Sequence, residues 1–178
     1  MEDQVARASN IINDLKSFAK VQNLEREAVP VSRIIARAVE MVRSQFELDN
    51  ITIEVRIGDP AIEILANEQK IEQVLINLFN NARHVMQPQG GGRLFVTSRS
   101  KGENACIVVR DTGPGVDEKL RTKIFTPFFT TRMSQGGTGL GLSISHKLIQ
   151  DHGGQLVLVE SKRGATFELR IPMIRPGA

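Results

Sequence analysis

Four glycines stand within six residues, Gly136-Gly137-Thr138-Gly139-Leu140-Gly141, directly before a stretch that has helical periodicity from residue 140 to 152. Glycines permit tight turns, and backbone N–H groups at the start of a helix can hold phosphate oxygens. The cluster is not a P-loop, because it lacks Gly-Lys-Ser/Thr. It is not a dinucleotide fingerprint either, because no predicted strand directly precedes it. It therefore predicts a junction between a loop and a helix that can face an anionic ligand.

Around this junction, stretches with helical and strand periodicity alternate along the chain. We predict helices over 32–47, 68–87, 117–124 and 140–152, with Ser32 and Asn67 as caps and Gly153-Gly154 as the end of the last helix. Alternating patterns predict strands over 51–57, 62–66, 93–100, 104–110, 155–160 and 165–172. The expected fold class is α/β (α+β), a two-layer sandwich in which helices cover one face of a mixed sheet.

The N-terminal segment reads as a separate helix. Residues 3–27 contain no Gly or Pro, and an apolar stripe with spacings of 3, 4, 3 and 4 predicts the seam of a coiled coil or helix bundle. The stripe is formed by Val5, Ala8, Ile12, Leu15 and Ala19. Only about two heptads are present, so an ordinary amphipathic helix is the alternative. Because Pro30 stops the helix, we divide the chain into residues 1–28 and a domain over 29–178.

Composition excludes several classes of protein. No apolar run approaches the ~20 residues of a membrane span, so we expect a cytoplasmic chain whose parent protein could be anchored in an inner membrane. The net charge of the 178 residues is only +3, and Trp and Tyr are absent, which disfavours nucleic acid as a partner. The single cysteine, Cys106, lies in an apolar run and is expected in the core.

Asparagines interrupt the predicted helix over 68–87. Asn77 and Asn81 are four residues apart, so their amides share a face that is separate from the apolar one. Asparagine is a mediocre helix former, and amide oxygens suit Mg²⁺, which also binds substrate phosphates. A solvated polar face is the alternative.

Asp111-Thr-Gly-Pro-Gly115 directly follows the strand pattern at 104–110. An acidic residue at the end of a strand can accept a hydrogen bond from an exocyclic amine, while Gly113 and Gly115 let the backbone approach a ligand. Asp-x-Gly is also common in ordinary turns.

A polar stretch links this turn to the glycine cluster. Phe125, Phe128 and Phe129 can anchor it, whereas Arg132 to Gly137 contains hardly any apolar residues and can move as a lid.

In combination, these stretches resemble the nucleotide-binding domain that sensor histidine kinases share with gyrase, heat-shock chaperones and mismatch-repair ATPases. Asn77–Ala82 resembles the asparagine box of the family, Asp111–Gly115 its first glycine box, and Phe125–Phe129 its phenylalanine box. Gly137–Ser143 resembles the second glycine box, and Gly164–Phe167 the start of the last strand. The resemblance covers residues ~30–174 and implies a Bergerat-type ATP-binding fold.

The resemblance also distinguishes branches of the family. ATPase branches place a glutamate four residues before the metal-binding asparagine, where this chain has Asn77. An amide cannot act as a general base, so phosphoryl transfer is favoured over hydrolysis. Residues 8–20 resemble the end of the second dimerisation helix of histidine kinases. An ATPase of the gyrase or chaperone type and a non-catalytic ATP-sensing module remain alternatives.

For the nucleotide, the resemblance implies that Asp111 reads the adenine amino group, with Gly113 and Gly115 lining the base pocket. It also implies that Thr166 contacts adenine or its water, and that Asn81, supported by Asn77, holds Mg²⁺. The remaining residues, implied in phosphate contacts, are Gly137, Thr138, Gly139, Leu140, Gly141 and Leu142, together with Arg132 and His84, for which a solvated side chain is the alternative.

No histidine has the context of a phospho-acceptor. His146 and His152 lie on the helix after the second glycine box, and His152 at its end is typical of a structural role. The resemblance therefore implies an acceptor histidine on a dimerisation helix outside this chain, a response regulator as the next partner, and a homodimeric parent protein.

Overall fold

The computed structural model describes residues 25–132 and 137–174, and the structural statements below concern these residues. Its elements, in chain order, are β1 (Glu27–Pro30), α1 (Val31–Leu48), β2 (Ile51–Ile57), β3 (Glu63–Ala66), α2 (Glu68–Met86), β4 (Gly92–Lys101), β5 (Asn104–Asp111), α3 (Gly141–Asp151), β6 (Gln155–Val159) and β7 (Thr166–Pro172). Short 3₁₀ turns lie at Gln87–Gln89 and Glu118–Leu120.

Five strands form one mixed sheet in the order β2-β4-β5-β7-β6. The pair β2–β4 is parallel and the other three pairs are antiparallel. The three helices pack on one face of this sheet. The predicted two-layer sandwich with helices on one face is therefore confirmed.

The layers are joined by side chains at alternate strand positions and by one stripe of each helix. Leu94, Val96, Ile107 and Leu169 point from the sheet into the core, where they meet the buried faces of the helices. On α2, the apolar residues that sequence periodicity assigns to one face are all buried. These are Ile71, Val74, Leu75, Leu78, Phe79, Ala82 and Met86. The asparagine face of α2 is thereby left free to line a site.

Asn67 caps α2 as expected, since its side chain accepts a hydrogen bond from the Lys70 N–H at 3.1 Å. Two other local predictions are wrong. Ser32 is not the cap of α1, because Pro30 occupies that position without a side-chain hydrogen bond. The helix predicted at 117–124 is only the 3₁₀ turn, which Asp117 caps by accepting from the Lys119 N–H.

The N-terminal boundary also differs from the prediction. Glu27–Pro30 is a strand that pairs antiparallel with β3, so the predicted helix does not extend to residue 27. The proposed boundary after residue 28 falls inside this strand. Local periodicity could not reveal β1, because its partner lies more than thirty residues later. Residues 1–24 lie outside the described part, and the dimerisation helix stays a prediction.

Candidate functional site

A cavity of about 510 Å³ lies between α2, the start of α3 and the segment that follows β5. Its volume is within the range of small-molecule sites. The structure brings eleven of the sequence-predicted residues together here. They are Asn77, Asn81, His84, Asp111, Gly115, Arg132, Gly137, Thr138, Gly139, Gly141 and Leu142.

Asp111 lies at the end of β5 and is only 4% exposed. Its Oδ1 accepts hydrogen bonds from the backbone N–H groups of Gly113, at 2.8 Å, and Ala165, at 3.1 Å. Burial raises the pKa of this carboxyl, and the backbone donors counteract part of that effect. Because both bonds end on Oδ1, Oδ2 keeps its capacity to accept a hydrogen bond from a ligand.

The absence of a side chain at two glycines allows the close packing around Asp111. Gly164 has φ of +72°, and a Cβ there would lie 1.9 Å from the Asp111 backbone oxygen. A Cβ on Gly113 would lie 2.9 Å from Val85 Cγ2. Gly113 is not among the cavity-lining residues, so it supports the carboxylate rather than forming the wall that the sequence predicted.

Asn77 connects α2 to the start of α3. Its Nδ2 donates to Ser145 Oγ at 2.9 Å, which orients the amide. A Cβ on Gly141 would lie only 2.4 Å from Asn77 Oδ1, so Gly141 lets the first turn of α3 approach this oxygen. The Asn77 oxygen therefore lies where the N–H groups of the helix start leave a region of positive potential.

Asn81, one turn further along α2, is contacted by a cation. Arg132 Nη2 donates to Asn81 Oδ1 at 3.2 Å. The Asn81 oxygen therefore lies at the cavity wall and accepts a hydrogen bond from a positively charged group. Arg132 is half-buried, and burial lowers the pKa of its guanidinium. Among residues 25–132 and 137–174, no carboxylate forms an ion pair with Arg132.

His84 lies on the same side of the cavity. Burial lowers the pKa of its imidazole, and the nearby charge of Arg132 lowers it further. The lowered pKa favours the neutral imidazole, which can serve as a hydrogen-bond partner rather than as a second cation.

Four residues of the glycine cluster line the cavity, namely Gly137, Thr138, Gly139 and Gly141. Gly139 has φ of +69°, and a Cβ there would lie 2.5 Å from the Phe128 backbone, so only glycine fits. The Leu140 side chain is buried and does not line the cavity, so the phosphate contact of this residue stays a prediction for its backbone N–H. The lid prediction includes residues 133–136, which lie outside the described part.

Thr166 does not line this cavity. On β7 it stands beside Arg110 of β5, and its side chain borders a groove on the other face of the sheet. Its neighbours Ala165 and Phe167 line the cavity instead. Adjacent residues of a strand point to opposite faces, so the predicted contact of the Thr166 side chain with adenine is corrected.

Twelve further residues line the cavity. Most are apolar side chains, which suit the flat faces of a purine ring, and a few are polar. They are Asn80, Ala82, Val85, Val116, Asp117, Leu120, Ile124, Phe129, Thr130, Thr131, Ala165 and Phe167. Phe125, on the phenylalanine-rich segment, packs edge-on against Phe167, with ring centroids 6.4 Å apart. The asparagine stretch, the phenylalanine-rich segment and the start of the last strand mark part of this wall in the sequence, whereas Val85, Val116 and Ile124 belong to no motif.

The family model described as histidine kinase-, DNA gyrase B-, and HSP90-like ATPase matches residues 66–175. The chain belongs to this ATPase family. The matched region contains every side chain that forms the cavity, from Asn77 to Phe167.

Known members of the ATPase family that resemble this chain are histidine kinases. Sensor histidine kinase ZraS of Escherichia coli (strain K12) is 30% identical over 97% of this chain. The match covers 37% of ZraS, so this chain spans about a third of that relative. The catalytic domain of histidine kinase ThkA superimposes with a TM-score of 0.75 at 32% identity, over 83% of this chain and 95% of that domain.

Two longer kinase structures match nearly the whole chain. Full-length ShkA, solved in complex with AMPPNP, has a TM-score of 0.82 at 26% identity, over 95% of this chain and 36% of ShkA. ThkA in complex with the response regulator TrrA has a TM-score of 0.81 at 28% identity, over 97% of this chain and 49% of ThkA.

Residues 25–132 and 137–174 contain no helix long and apolar enough to cross a membrane. The same part of the chain has no group of three or more His, Cys, Asp or Glu residues arranged to hold a metal ion.

Proposed function

We propose that this chain binds Mg-ATP and transfers the γ-phosphoryl group to a histidine on a dimerisation helix outside it, for relay to a response regulator. The observation that carries the proposal is the cavity itself. A buried carboxylate that can recognise the nucleotide base stands at one part of its wall. Amide oxygens, the Arg132 guanidinium and the start of α3 stand at another.

Adenine recognition is assigned to Asp111. Its Oδ2 can accept a hydrogen bond from the exocyclic amine of adenine, whereas guanine presents a carbonyl oxygen at the corresponding position. Two acceptors facing each other without water are unfavourable, so the site favours ATP over GTP. Apolar neighbours such as Ile124 and Phe167 exclude water around the base.

The donor set fits Mg²⁺. Asn81 Oδ1 already accepts from a guanidinium, and the Asn77 amide oxygen lies at the same wall. Mg²⁺ takes few protein oxygens and completes its octahedron with phosphate oxygens and water. Asn81 would hold the ion, with support from Asn77, and the ion would neutralise charge on the phosphates. Gly137 to Leu142 would supply backbone contacts to the phosphates, and Arg132 would contribute positive charge, with His84 beside it.

The wall formed by α2 favours transfer over hydrolysis. Three of the four polar α2 residues that line the cavity, Asn77, Asn80 and Asn81, are amides, which cannot remove a proton from water; the fourth is His84. Asn77 occupies the position at which the ATPase branches place a glutamate. The acidic residues that line the cavity are Asp111 and Asp117, and both carboxylates accept backbone hydrogen bonds elsewhere. As in other phosphoryl transfers, the protein would contribute mainly positioning and charge neutralisation.

The proposal extends to the parent protein. Its partners would be the histidine-bearing helix of the same or a partner kinase and a response regulator. We propose that the parent protein is a homodimer, that this domain lies in the cytoplasm, and that the parent protein can be anchored in the inner membrane.

One assay tests the function. The chain is mixed with Mg-ATP labelled on the γ-phosphate and with a dimerisation-helix fragment that carries the histidine. We expect acid-labile label on the fragment, and no label on a control fragment in which the histidine is replaced by alanine. Release of free phosphate alone would indicate an ATPase instead. Nucleotide binding with neither product would indicate an ATP-sensing module.

A further inference from the structure

A basic groove crosses the face of the sheet that carries no helix. It has a volume of about 740 Å³ and lies behind the nucleotide cavity. We define it by the five basic residues that line it, which are Arg56, Arg93, Arg110, Lys162 and Arg163. We propose that this basic groove docks an extended acidic segment of a partner protein. The proposal does not depend on the kinase function proposed above.

The charge of the groove is strongly unbalanced. Glu160 is the single acidic side chain at its rim besides Asp111, which points to the other face. Glu54, beside the groove, lies 3.6 Å from Arg93 and 4.0 Å from Arg56. Subtracting Glu160 and Glu54 from the five cations leaves a formal excess of three, as large as the net charge of the whole chain. Such a patch favours an anionic partner.

The cations are spread over the sheet rather than gathered at one point. Arg56 is on β2, Arg93 on β4 and Arg110 on β5, and Arg163 follows in the loop before β7. Arg56 stands opposite Thr97 and Arg110 opposite Phe95, so the cations are also staggered along the strands. Three strand spacings of ~4.8 Å place the outer cations at least ~14 Å apart. An extended chain advances ~3.3 Å per residue, so a segment of at least about five residues is needed to span the groove. A single phosphate would contact only part of it.

The aromatic ring in the groove argues for a peptide over a nucleic acid. Phe95 is covered by Arg110, whose guanidinium carbon lies 4.4 Å from the ring centroid, and Arg93 lies at 5.8 Å. Stacking of unpaired bases needs a free aromatic face, which Phe95 does not offer. The cation–π contacts instead hold two guanidinium groups in place for carboxylates.

The groove also lacks the apolar side chains that insert into a membrane. In the part of the chain that the structure describes, the large exposed apolar residues are Met41, Leu48, Val55, Leu65 and Phe128. None of them lines the groove. A concave, cationic surface without an apolar rim suits a carboxylate-bearing segment better than a bilayer.

The test uses an eight-residue peptide of alternating Glu and Asp with a fluorescent label, and measures anisotropy at low and at physiological salt without nucleotide. The paired change Arg93→Gln and Arg110→Gln removes two charges from the groove. We expect it to weaken peptide binding by about tenfold, as expected for loss of two close charge contacts. The matched control, Arg43→Gln with Lys147→Gln, removes the same charge from exposed side chains on α1 and α3 and should change binding less than about twofold.

A second pair of substitutions keeps the test valid if the strand variant fails to fold. Lys162→Gln with Arg163→Gln changes only the exposed loop between β6 and β7, and we expect a similar loss. Equal binding by groove and control variants, or absence of binding by the wild type at low salt, would overturn the proposal. Tighter binding of an eight-nucleotide single strand, or of vesicles with anionic lipid, would also overturn it in favour of that partner.

Discussion

Arg132 Nη2 donates to Asn81 Oδ1 at 3.2 Å and thereby joins the segment after the phenylalanine-rich stretch to the asparagine face of α2. A guanidinium thus stands beside the oxygen that we assign to Mg²⁺. In the proposed function, the same arginine would be within reach of the phosphates. The pair would then link the metal site to the position of this segment.

Asn81→Ala should abolish the Mg²⁺-dependent part of ATP binding, because it removes the oxygen that holds the ion. We expect ATP affinity in the presence of Mg²⁺ to fall at least tenfold, or by about 1.4 kcal/mol. Calorimetric titration with and without Mg²⁺ measures this. Gln73→Ala, one turn before Asn77 on α2 and outside the cavity, is the control. Near-normal affinity of Asn81→Ala would rule out the metal role.

Arg132→Gln should weaken ATP more than adenosine, because the half-buried cation acts on phosphate charge and not on the base. A loss of about tenfold for ATP and less than about twofold for adenosine is expected. Competition titration against a labelled nucleotide gives both values. Similar losses for the two ligands would show that the substitution distorts the whole cavity.

Asp111→Asn should weaken the binding of adenine nucleotides without lowering the stability of the fold. Burial raises the pKa of the carboxyl, so its ionised form is disfavoured by folding, and an amide oxygen can still accept from Gly113 and Ala165. The new NH₂ group would face the adenine amine as a second donor. Binding of ATP, GTP and tripolyphosphate, together with thermal unfolding, checks this. An equal loss for tripolyphosphate would contradict a role in base recognition.

Gly141→Ala should destabilise the junction of α2 and α3, because its Cβ would stand 2.4 Å from Asn77 Oδ1. We expect a loss of about 1–3 kcal/mol in the free energy of unfolding, as for other overpacked sites. Urea denaturation of Gly141→Ala, Asn77→Ala and the double variant isolates the clash. Additive effects would show that the two residues do not interact.

His152 should make stability depend on pH. Its Nε2 accepts from the Asn67 N–H at 3.1 Å, and Nδ1 lies 2.7 Å from the Leu148 carbonyl oxygen. Burial lowers the pKa of His152, and the charge of Arg26 acts in the same direction. The unfolded chain therefore takes up a proton first as the pH falls, and stability present above about 6.5 is lost below it.

Urea denaturation of the wild type and His152→Gln at several values between pH 5 and 8 tests this. The free energy of unfolding of the wild type minus that of His152→Gln should be constant above about pH 6.5. Below that pH it should shrink, with a slope of at most about 1.4 kcal/mol per pH unit. A difference that does not change with pH would assign the acid sensitivity elsewhere, for example to His84, whose pKa burial also lowers.

The elements that sequence predicted best are those with strong local periodicity. The strand at 51–57 and the helix that starts after Asn67 lie where the patterns put them, because each buries one face against a neighbouring layer. β1 and the 3₁₀ turn after Asp117 were not predictable in this way. Both depend on a partner or a cap rather than on a repeating pattern.

At the site, the polar residues were predictable and the apolar wall was not. Asn77, Asp111 and Gly141 stand out because asparagine in a helix, acid at a strand end and clustered glycine are locally unusual. Val116 and Ile124 carry no such signal and resemble ordinary core residues. Thr166 shows the limit of motif reasoning, since a shift of one residue along a strand moves a side chain to the opposite face.

By itself, the sequence determined the layer architecture and the chemistry available at the site, because burial periodicity and unusual polar residues are properties of short segments. Only the tertiary structure decided which groups meet. Asn77 donates to Ser145, Asp111 accepts from Ala165, and five cations line the groove on the open face of the sheet. The two hydrogen bonds join residues 68 and 54 positions apart, and the cations come from three strands and a loop. Strand register and helix packing fix these arrangements.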